Sequence, residues 1–285
     1  MNLGVSGIVI NGFDQILLIQ RDDTKTWALP AGSIEIGELP TEATEREVKE
    51  ETGLKVMPVR LVALNFRQLG GRSFLQFIYR CLEAGGEITP SPETPQVGYF
   101  RTQHLPTQML SISKEQIDQG SGHTGHAVWS EEPISLGLKL RWVWLKLFVY
   151  PRLARERKAR GEPEHVSPPK FNISVAVAIC DEANNLIWLK KDGKSQLPTS
   201  AAPDNKAPWH SAAEMAQAQT GRPVEISRLV AVYFAKDKTE MLILWEGKTE
   251  GSDGLTEIPA DANPQSRRFA ERALENNHLV LSDWL

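Results

Sequence analysis

The sequence predicts mixed α and β structure that occurs twice along its 285 residues. In each half, a strand-like run is followed by a loop containing Leu-Pro and by a helix-like stretch that ends at Thr-Gly. When the chain is shifted by 168 residues, eleven of the 38 positions from 29 to 66 are identical, whereas average residue usage gives roughly 5–9% by chance. The simplest account of both observations is two copies of one α/β (α+β) domain.

The strands of each copy are predicted from apolar runs bounded by turn residues. In the first copy, Val5–Ile10 and Ile16–Ile19 flank Asn11-Gly12, a pattern that is typical of a β-hairpin. In the second copy, the corresponding runs are Ile173–Ile179 and Leu186–Leu189. We therefore expect each copy to open with a pair of adjacent strands.

The distribution of charge supports two domains and a connector. Residues 1–130 carry a net charge of −4, residues 131–170 a net charge of +4, and residues 171–285 a net charge of −4. Because a basic segment separates two acidic blocks, we predict domains at 1–130 and 171–285 with a connector at 131–170.

Composition excludes several classes of protein. With 41% apolar and 24% charged residues, the chain has the balance of an ordinary folded protein. Its two cysteines, Cys81 and Cys180, rule out a disulfide framework or a zinc ribbon. No apolar run is long enough for a membrane span, and the first residues lack the pattern of a signal peptide. We therefore expect a cytoplasmic protein that binds neither DNA nor a membrane.

The most informative element is an acidic helix in the first copy. Pro40 suits the first turn of a helix, and Gly53 suits its left-handed C-terminal cap. At about 100° per residue, Glu47, Glu50 and Glu51 share one face. Such crowded carboxylates repel each other, and a bound divalent cation would reverse this cost. A solvated glutamate-rich surface is the alternative interpretation of the helix alone.

The helix belongs to a longer motif with the spacing G-x5-E-x7-R-E-U-x-E-E-x-G-U, in which U is aliphatic. The fixed positions are occupied by Gly32, Glu38, Arg46, Glu47, Glu50, Glu51 and Gly53, with Val48 and Leu54 at the aliphatic positions. This pattern resembles the Nudix box at every defined position. The resemblance implies a Nudix α/β/α sandwich with a mixed sheet, present twice, and the hydrolysis of a nucleoside diphosphate linked to another moiety.

The resemblance also implies roles for individual residues. Glu47, Glu50 and Glu51 would be ligands of Mg²⁺ or Mn²⁺, with the carbonyl of Gly32 as an additional ligand. Arg46 would orient the glutamates through charge-assisted hydrogen bonds. Either Glu50 or Glu51 would serve as the general base. In some family members the base lies on a later loop, and Glu93 is the corresponding candidate here.

The box contacts the diphosphate, so it says little about the rest of the substrate. Arg21, at the end of a predicted strand, is a candidate for binding a phosphate, although an exposed arginine without function is an equal alternative. Phe66 is a candidate for stacking on a nucleobase. Aromatic residues of strands belong more often to the core, so that alternative also remains open.

The second copy resembles a Nudix fold whose box has decayed. Where the first copy has Arg46–Glu51, the second reads Glu214–Gln219 and keeps none of the acidic residues at their positions. The first glycine and first glutamate of the motif are replaced by Ser200 and Lys206. We therefore expect the second copy to lack catalysis.

The connector contains the apolar run Leu136–Tyr150, which is interrupted by basic residues, and a basic stretch at Arg152–Arg160. We favour a helix packed between the two acidic domains. The alternatives are an interfacial membrane helix with a polybasic tail and, less favoured, an anchor for RNA.

The leading functional hypothesis is a metal-dependent Nudix pyrophosphohydrolase that acts on a nucleotide or nucleotide-sugar type of substrate. The competing hypothesis is a nucleotide-sensing or scaffolding protein with little turnover. The intact set of glutamates and the arginine favours the enzyme. A homodimer remains open as its oligomeric state.

Overall fold

The fold is taken from a computed structural model of the chain. It describes residues 1–121, 125–132, 136–159, 167–235 and 239–275. The chain divides into two compact units. The first unit contains residues 2–122 and 129–169, and the second contains residues 123–128 and 170–285 together with Met1.

The first unit holds eight strands, four α-helices and two short helices of other types within its described part. In chain order they are β1 Asn2–Val9, β2 Gln15–Gln20, β3 Trp27–Ala28, β4 Ala31–Ser33, α1 Pro40–Thr52, β5 Leu54–Leu69, β6 Arg72–Gly86, β7 Gln96–Arg101, a 3-10 turn Thr102–His104, α2 Ser111–Ser121, β8 Val128–Glu131, α3 Leu136–Trp144, a π-helical segment Leu145–Val149 and α4 Tyr150–Ala159. They form a five-stranded mixed sheet of order β4-β1-β6-β5-β8 and a three-stranded sheet of order β3-β2-β7.

The predicted hairpin of the first two strands is limited to its turn, where one antiparallel bridge joins Ile10 and Ile16. The turn is present, because the side chain of Asn11 accepts hydrogen bonds from the N–H groups of Phe13 and Gln15, at 3.0 Å each. Strand β1, however, pairs with β4 on one side and β6 on the other, whereas β2 pairs with β3 and β7. Every residue of β1 is buried. As a central strand with both edges occupied, β1 has no edge to offer β2.

Helix α1 confirms the predicted boundaries. It begins at Pro40 and ends before Gly53, which caps it with φ = 79°. The carboxylate of Glu42 accepts a hydrogen bond of 2.7 Å from the N–H of Leu39, which satisfies one donor at the helix start. Its buried face includes Ala43 and Val48. At about 100° per residue, Glu47 and Glu51 lie between these two positions, and both side chains are only partly exposed.

The second unit contains six strands and two helices in its described part. They are β9 Asn172–Cys180, β10 Leu189–Lys191, β11 Lys194–Gln196, β12 Thr199–Ala201, α5 Pro208–Thr220, β13 Glu225–Phe234, β14 Glu240–Lys248 and α6 Pro264–Leu274. Strands β10 and β11 form a hairpin, and the other four form a sheet of order β12-β9-β14-β13.

Four strands of the main sheet have the same order and the same sense of pairing in both units. In each sheet the three successive pairings from β4 or β12 onward are antiparallel, parallel and antiparallel. Helices α1 and α5 each have 13 residues, and both are capped by a glycine with positive φ. The repeat seen in the sequence therefore corresponds to a repeat of sheet order and of helix length.

Among the residues that the structure describes, no helix is both long enough and apolar enough to cross a membrane.

Candidate active site

Glu47 lies directly against the backbone of Gly32. Strand β4 pairs with β1, where Gly32 stands opposite Val5, and the side chain of Glu47 reaches this strand from helix α1. A Cβ atom on Gly32 would lie 1.9 Å from the carboxyl carbon of Glu47. Only a residue without a side chain leaves room for this contact, so Gly32 is required for the position of Glu47.

Arg46 holds two carboxylates and one carbonyl close around its guanidinium group. Its Nε and Nη2 donate to the two carboxylate oxygens of Glu38 at 2.8 and 2.9 Å, and its Nη1 donates to Glu47 at 2.8 Å. Nη2 also donates to the carbonyl of Ser33 at 2.9 Å. The hydrogen bonds with Glu38 raise the pKa of Arg46 above its ordinary value. Arg46 therefore stays charged and fixes the orientation of Glu47.

Glu51 is the most strongly perturbed carboxyl group of this site. It accepts a hydrogen bond of 2.9 Å from the N–H of Ala31. Burial raises the pKa of Glu51 to about 8, and the charges of Glu47 and Glu93 act in the same direction. Burial also raises the pKa of Glu47, which Arg46 offsets only in part. Two carboxyl groups with raised pKa values therefore face the same space, where positive charge would be favoured.

The loop that carries Glu93 is attached to the C-terminal end of α1. The hydroxyl of Thr94, which is 1% exposed, donates to the carbonyl of Glu51 at 2.6 Å. The carbonyl of Glu93 accepts from the N–H of Asp22 at 2.9 Å. The structure therefore brings Glu93 close enough for its charge to act on Glu51.

Arg21 lies beside the same carboxylates and has a partner of its own. Its Nε and Nη2 donate to the two carboxylate oxygens of Asp23 at 3.0 and 2.7 Å. Burial opposes the charge of Arg21, but the hydrogen bonds and charge of Asp23 outweigh it and raise its pKa. Glu51 and Tyr150 also act on the charge of Arg21. A phosphate at Arg21 would therefore compete with Asp23.

Two predicted site residues stand apart from this cluster. The side chain of Glu50 is 60% exposed, and Arg46 reaches it only with a long hydrogen bond of 3.4 Å. Phe66 is 4% exposed within β5, where its carbonyl accepts a hydrogen bond from the N–H of Glu132. As placed, Phe66 presents no open face on which a nucleobase could stack.

The donor chemistry of the site fits a hard divalent cation, although the side chains are not gathered into a finished metal site. Among the described residues, no three His, Cys, Asp or Glu side chains stand close enough together to hold a metal ion. Glu47 and Glu51 nevertheless supply carboxylate oxygens next to the backbone of Gly32, and oxygen ligands of this kind suit Mg²⁺. The arrangement requires a movement of Glu50 before a third glutamate can join them.

Three contributors to the site are absent from the sequence-based prediction. They are the N–H of Ala31, the hydroxyl of Thr94 and the carboxylate of Asp23. Asp23 follows Arg21 by two residues with opposite charge, which is a signal that could have indicated their pairing. The other two act through contacts between elements distant in sequence, and no local pattern marks them.

The corresponding positions of the second unit carry different groups. Met215, Ala218 and Gln219 stand where the first unit has Glu47, Glu50 and Glu51. Lys206 donates to Glu214 at 2.5 Å, so the ion pair between Arg46 and Glu38 recurs with its charges exchanged. This unit keeps the ion pair of the motif and lacks its carboxylate cluster.

Comparison with known proteins identifies the domain that carries the site. A family profile described as the NUDIX domain matches residues 2–119. The chain is 38% identical over 112 residues to mouse (Mus musculus) 8-oxo-dGDP phosphatase NUDT18, covering 37% of this chain and 34% of that protein. It is 30% identical over 111 residues to a MutT-like protein of Streptomyces ambofaciens, covering 39% of this chain and 71% of that protein.

Among solved structures, a UDP-X diphosphatase matches with 29% identity and a TM-score of 0.41, covering 45% of this chain and 66% of that one.

The chain therefore belongs to the Nudix hydrolase family. Membership is carried by residues 2–119, which contain the whole cluster around Gly32, Arg46 and Glu51. The chain spans about a third of the length of its mouse relative.

Proposed function

We propose that the first unit is the catalytic domain of a divalent-metal-dependent pyrophosphohydrolase. Its substrate would be a nucleoside diphosphate linked to another moiety. The observation that carries this proposal is the pair of partly buried carboxyl groups at Glu47 and Glu51, whose pKa values are both raised and which lie beside Gly32. Burying two neighbouring carboxyl groups lowers the stability of a folded protein. Carboxyl groups with pKa values shifted in this way are therefore found mostly at functional sites.

Glu47, Glu51 and the carbonyl of Gly32 would hold Mg²⁺ or Mn²⁺, and Glu50 would join them after a change of its side-chain conformation. When bound, the metal offsets phosphate charge and lowers the pKa of a coordinated water. Arg46 keeps Glu47 in place, because its guanidinium group donates hydrogen bonds to Glu38 and to Glu47 at the same time. Arg21 would bind a phosphate oxygen by exchanging one of its two hydrogen bonds to Asp23 for a hydrogen bond to the phosphate.

Glu50 and Glu93 are the two candidates for the base that takes a proton from the attacking water. Glu51 is less suited to this role, because its carboxylate already accepts from Ala31 and would be occupied by the metal. Glu93 is exposed, and its backbone is anchored next to Glu51 through Asp22 and Thr94. Comparison of Glu50→Gln with Glu93→Gln over a range of Mg²⁺ concentrations separates them. The base variant loses kcat at saturating Mg²⁺ with little change in KM, whereas loss of a metal ligand raises the Mg²⁺ concentration that half-maximal activity requires.

The proposal is tested by incubating the full chain with a panel of nucleotides and Mg²⁺ or Mn²⁺, scored by phosphate release. The panel contains 8-oxo-dGDP, ADP-ribose and UDP-linked compounds, because relatives of this chain are named for such substrates. We expect metal-dependent hydrolysis of at least one compound. We expect Glu47→Gln to reduce it about 100-fold or more, since several kcal/mol of charge stabilisation are lost.

Glu45→Gln is the matched control, because Glu45 is an exposed residue of the same helix about 160° away from Glu47. It should retain full activity. Nucleotide binding without turnover in the wild type would instead favour the sensing or scaffolding alternative. Equal loss in both variants would indicate damage to helix α1 and refute the assignment of Glu47.

The second unit is proposed to be a degenerate Nudix-like domain without catalysis. Its sheet order and its 13-residue helix α5 parallel those of the first unit. The proposed division of the chain remains a catalytic domain at 1–130, a connector at 131–170 and the degenerate domain at 171–285. Absence of carboxylates at positions 215, 218 and 219 supports this reading.

A further inference from the structure

Helices α3 and α4 and the π-helical segment between them expose an apolar surface that the hydrolase site does not use. Five large side chains are each 45–64% exposed, and we call them the apolar stripe: Leu140, Val143, Trp144, Leu147 and Phe148. Their spacing of three, four, seven and eight residues from Leu140 places them on one side of a helix. Exposed apolar residues scattered singly are common in proteins, but a continuous patch of this kind marks an interaction surface.

The same segment is strongly basic. Residues 136–159 contain seven Lys and Arg residues and one acidic residue, Glu156, whereas the remaining residues of the chain carry 25 basic and 35 acidic side chains. Lys139, Arg155 and Lys158 are exposed on this segment. A partner for it must therefore offer both an apolar interior and negative charge at its surface.

Both requirements are met by the surface of an anionic lipid bilayer. We propose that residues 136–159 bind such a surface as an interfacial helix, with the apolar stripe directed into the acyl boundary and the basic residues in contact with the headgroups. Trp144 and Tyr150 are exposed amphipathic aromatics, which are enriched at membrane interfaces. The segment would lie on the bilayer, because its seven basic side chains prevent it from crossing.

A bilayer is favoured over a second copy of the chain. Within the unit that carries them, all five side chains of the apolar stripe are exposed, so the described part of this unit does not bury the stripe itself. A second copy of the chain, bound stripe to stripe, would bring two segments of net charge +6 together. Repulsion between like charges in a partly desolvated interface would oppose such a dimer.

Binding of the full chain to lipid vesicles tests the proposal directly. Vesicles of phosphatidylcholine alone are compared with vesicles of phosphatidylcholine and phosphatidylserine by flotation at low and high salt. We expect the protein to float with the serine-containing vesicles, and the bound fraction to fall as salt screens the charges. Phe148→Glu should weaken this binding about tenfold or more, since it removes a buried phenylalanine from the acyl boundary.

Two matched controls make the test specific. Phe13→Glu changes a phenylalanine that is 83% exposed on a turn of the first unit, and it should bind vesicles like the wild type. The double variant Lys139→Glu/Lys158→Glu should weaken binding, whereas Lys191→Glu/Lys194→Glu, on the exposed hairpin β10–β11, should weaken it far less.

Three outcomes would overturn the proposal. The first is no flotation with serine-containing vesicles at low salt. The second is equal weakening by Phe148→Glu and Phe13→Glu. The third is a stable dimer in sedimentation that Phe148→Glu dissociates and that does not bind vesicles, which would identify the apolar stripe as a contact between copies of the chain.

Discussion

Gly32 and Glu47 show how one residue without a side chain determines the position of a catalytic candidate. The Glu47 carboxylate occupies the space that a Cβ of residue 32 would need. In the second unit, Ser200 and Met215 stand at the corresponding positions. The second unit therefore has neither the glycine nor the carboxylate that would require it.

Gly32→Ala should displace Glu47 and reduce hydrolysis about 100-fold or more. The new Cβ would lie 1.9 Å from the carboxyl carbon of Glu47, so the carboxylate must move away. Steady-state kinetics of the full chain, with circular dichroism to verify folding, measures this effect. Gly12→Ala is the matched control, because a Cβ at residue 12 has no neighbour within 4 Å. Equal activity of both variants would contradict the role of this contact.

Asp181 provides a second test at the level of one residue, and here the readout is stability against pH. Its carboxylate accepts hydrogen bonds from the N–H groups of Asn185, Ala183 and Gly254 at 2.8, 2.9 and 2.9 Å. These bonds, the one from Asn185 first, lower the pKa of Asp181. Because the folded pKa is lowered, the carboxylate stabilises the fold above its unfolded pKa of about 3.9 and loses this effect as the pH falls through the folded value.

We therefore expect Asp181→Asn to be less stable than the wild type at neutral pH and to approach it as the pH falls below about 4. Urea midpoints measured from pH 7 to pH 3 give the comparison. Asp192→Asn, at an exposed turn of the same unit, should follow the wild type throughout. A difference for Asp181→Asn that stays constant with pH would show that its charge is not responsible.

At the scale of elements, helices α1 and α5 have the same length and the same type of C-terminal cap, yet their surroundings differ. Gly53 caps α1 with φ = 79°, and a Cβ on it would lie 2.4 Å from the carbonyl oxygen of Glu87. Gly221 caps α5 with φ = 73°, and a Cβ on it would have no neighbour within 4 Å. Backbone conformation requires glycine at both caps, whereas close packing requires it only in the first unit.

Replacement of these two glycines by alanine should separate the two requirements. Gly221→Ala should cost about 1–2 kcal/mol, the usual cost of a side chain in the left-handed region. Gly53→Ala should cost at least about 1 kcal/mol more, because of the clash with Glu87. Hydrogen exchange of the amides in α1 and in α5 reports on each helix separately. Equal costs would show that the contact at Glu87 relaxes freely.

At the scale of the whole molecule, the two units share the order of four strands in their main sheets but differ in the side chains at the positions of the motif. The NUDIX profile matches the first unit at residues 2–119, while the sheet order β4-β1-β6-β5 recurs as β12-β9-β14-β13. The core of each sheet depends on apolar patterning, which tolerates many sequences. The cluster of carboxylates depends on individual residues, so it can be lost while the fold remains.

All hydrolysis should therefore depend on the first unit. We expect Glu51→Gln in the full chain to leave no turnover above the buffer blank, and the additional change Gln219→Glu not to restore any. Positions 215 and 218 would still lack carboxylates, and Ser200 would still replace the glycine. Phosphate release at high enzyme concentration measures the residual rate. Activity that survives Glu51→Gln and disappears on deletion of residues 171–285 would contradict this prediction.

Much of the first unit could be predicted because local rules apply to it. Pro40 and Gly53 bound helix α1 as expected, since the proline fixes φ at the start and the glycine permits the left-handed cap at the end. The repeat of 168 residues anticipated the equal lengths of α1 and α5. The pairing of β1 with β4 and β6 could not be predicted. Both edges of β1 are paired inside the sheet, and their partners are strands that do not neighbour β1 in the sequence.

The sequence by itself determined the fold family, the repeat and the identity of the charged residues, because these follow from residue types at fixed spacing. Only the tertiary structure decided which carboxylates meet. Glu47 and Glu51 face strand β4, Glu93 arrives on a loop anchored by Thr94, and Glu50 turns toward solvent. Helical spacing gives each side chain a direction, but the partner in that direction is supplied by strands and loops distant in sequence, whose positions depend on packing of the whole unit.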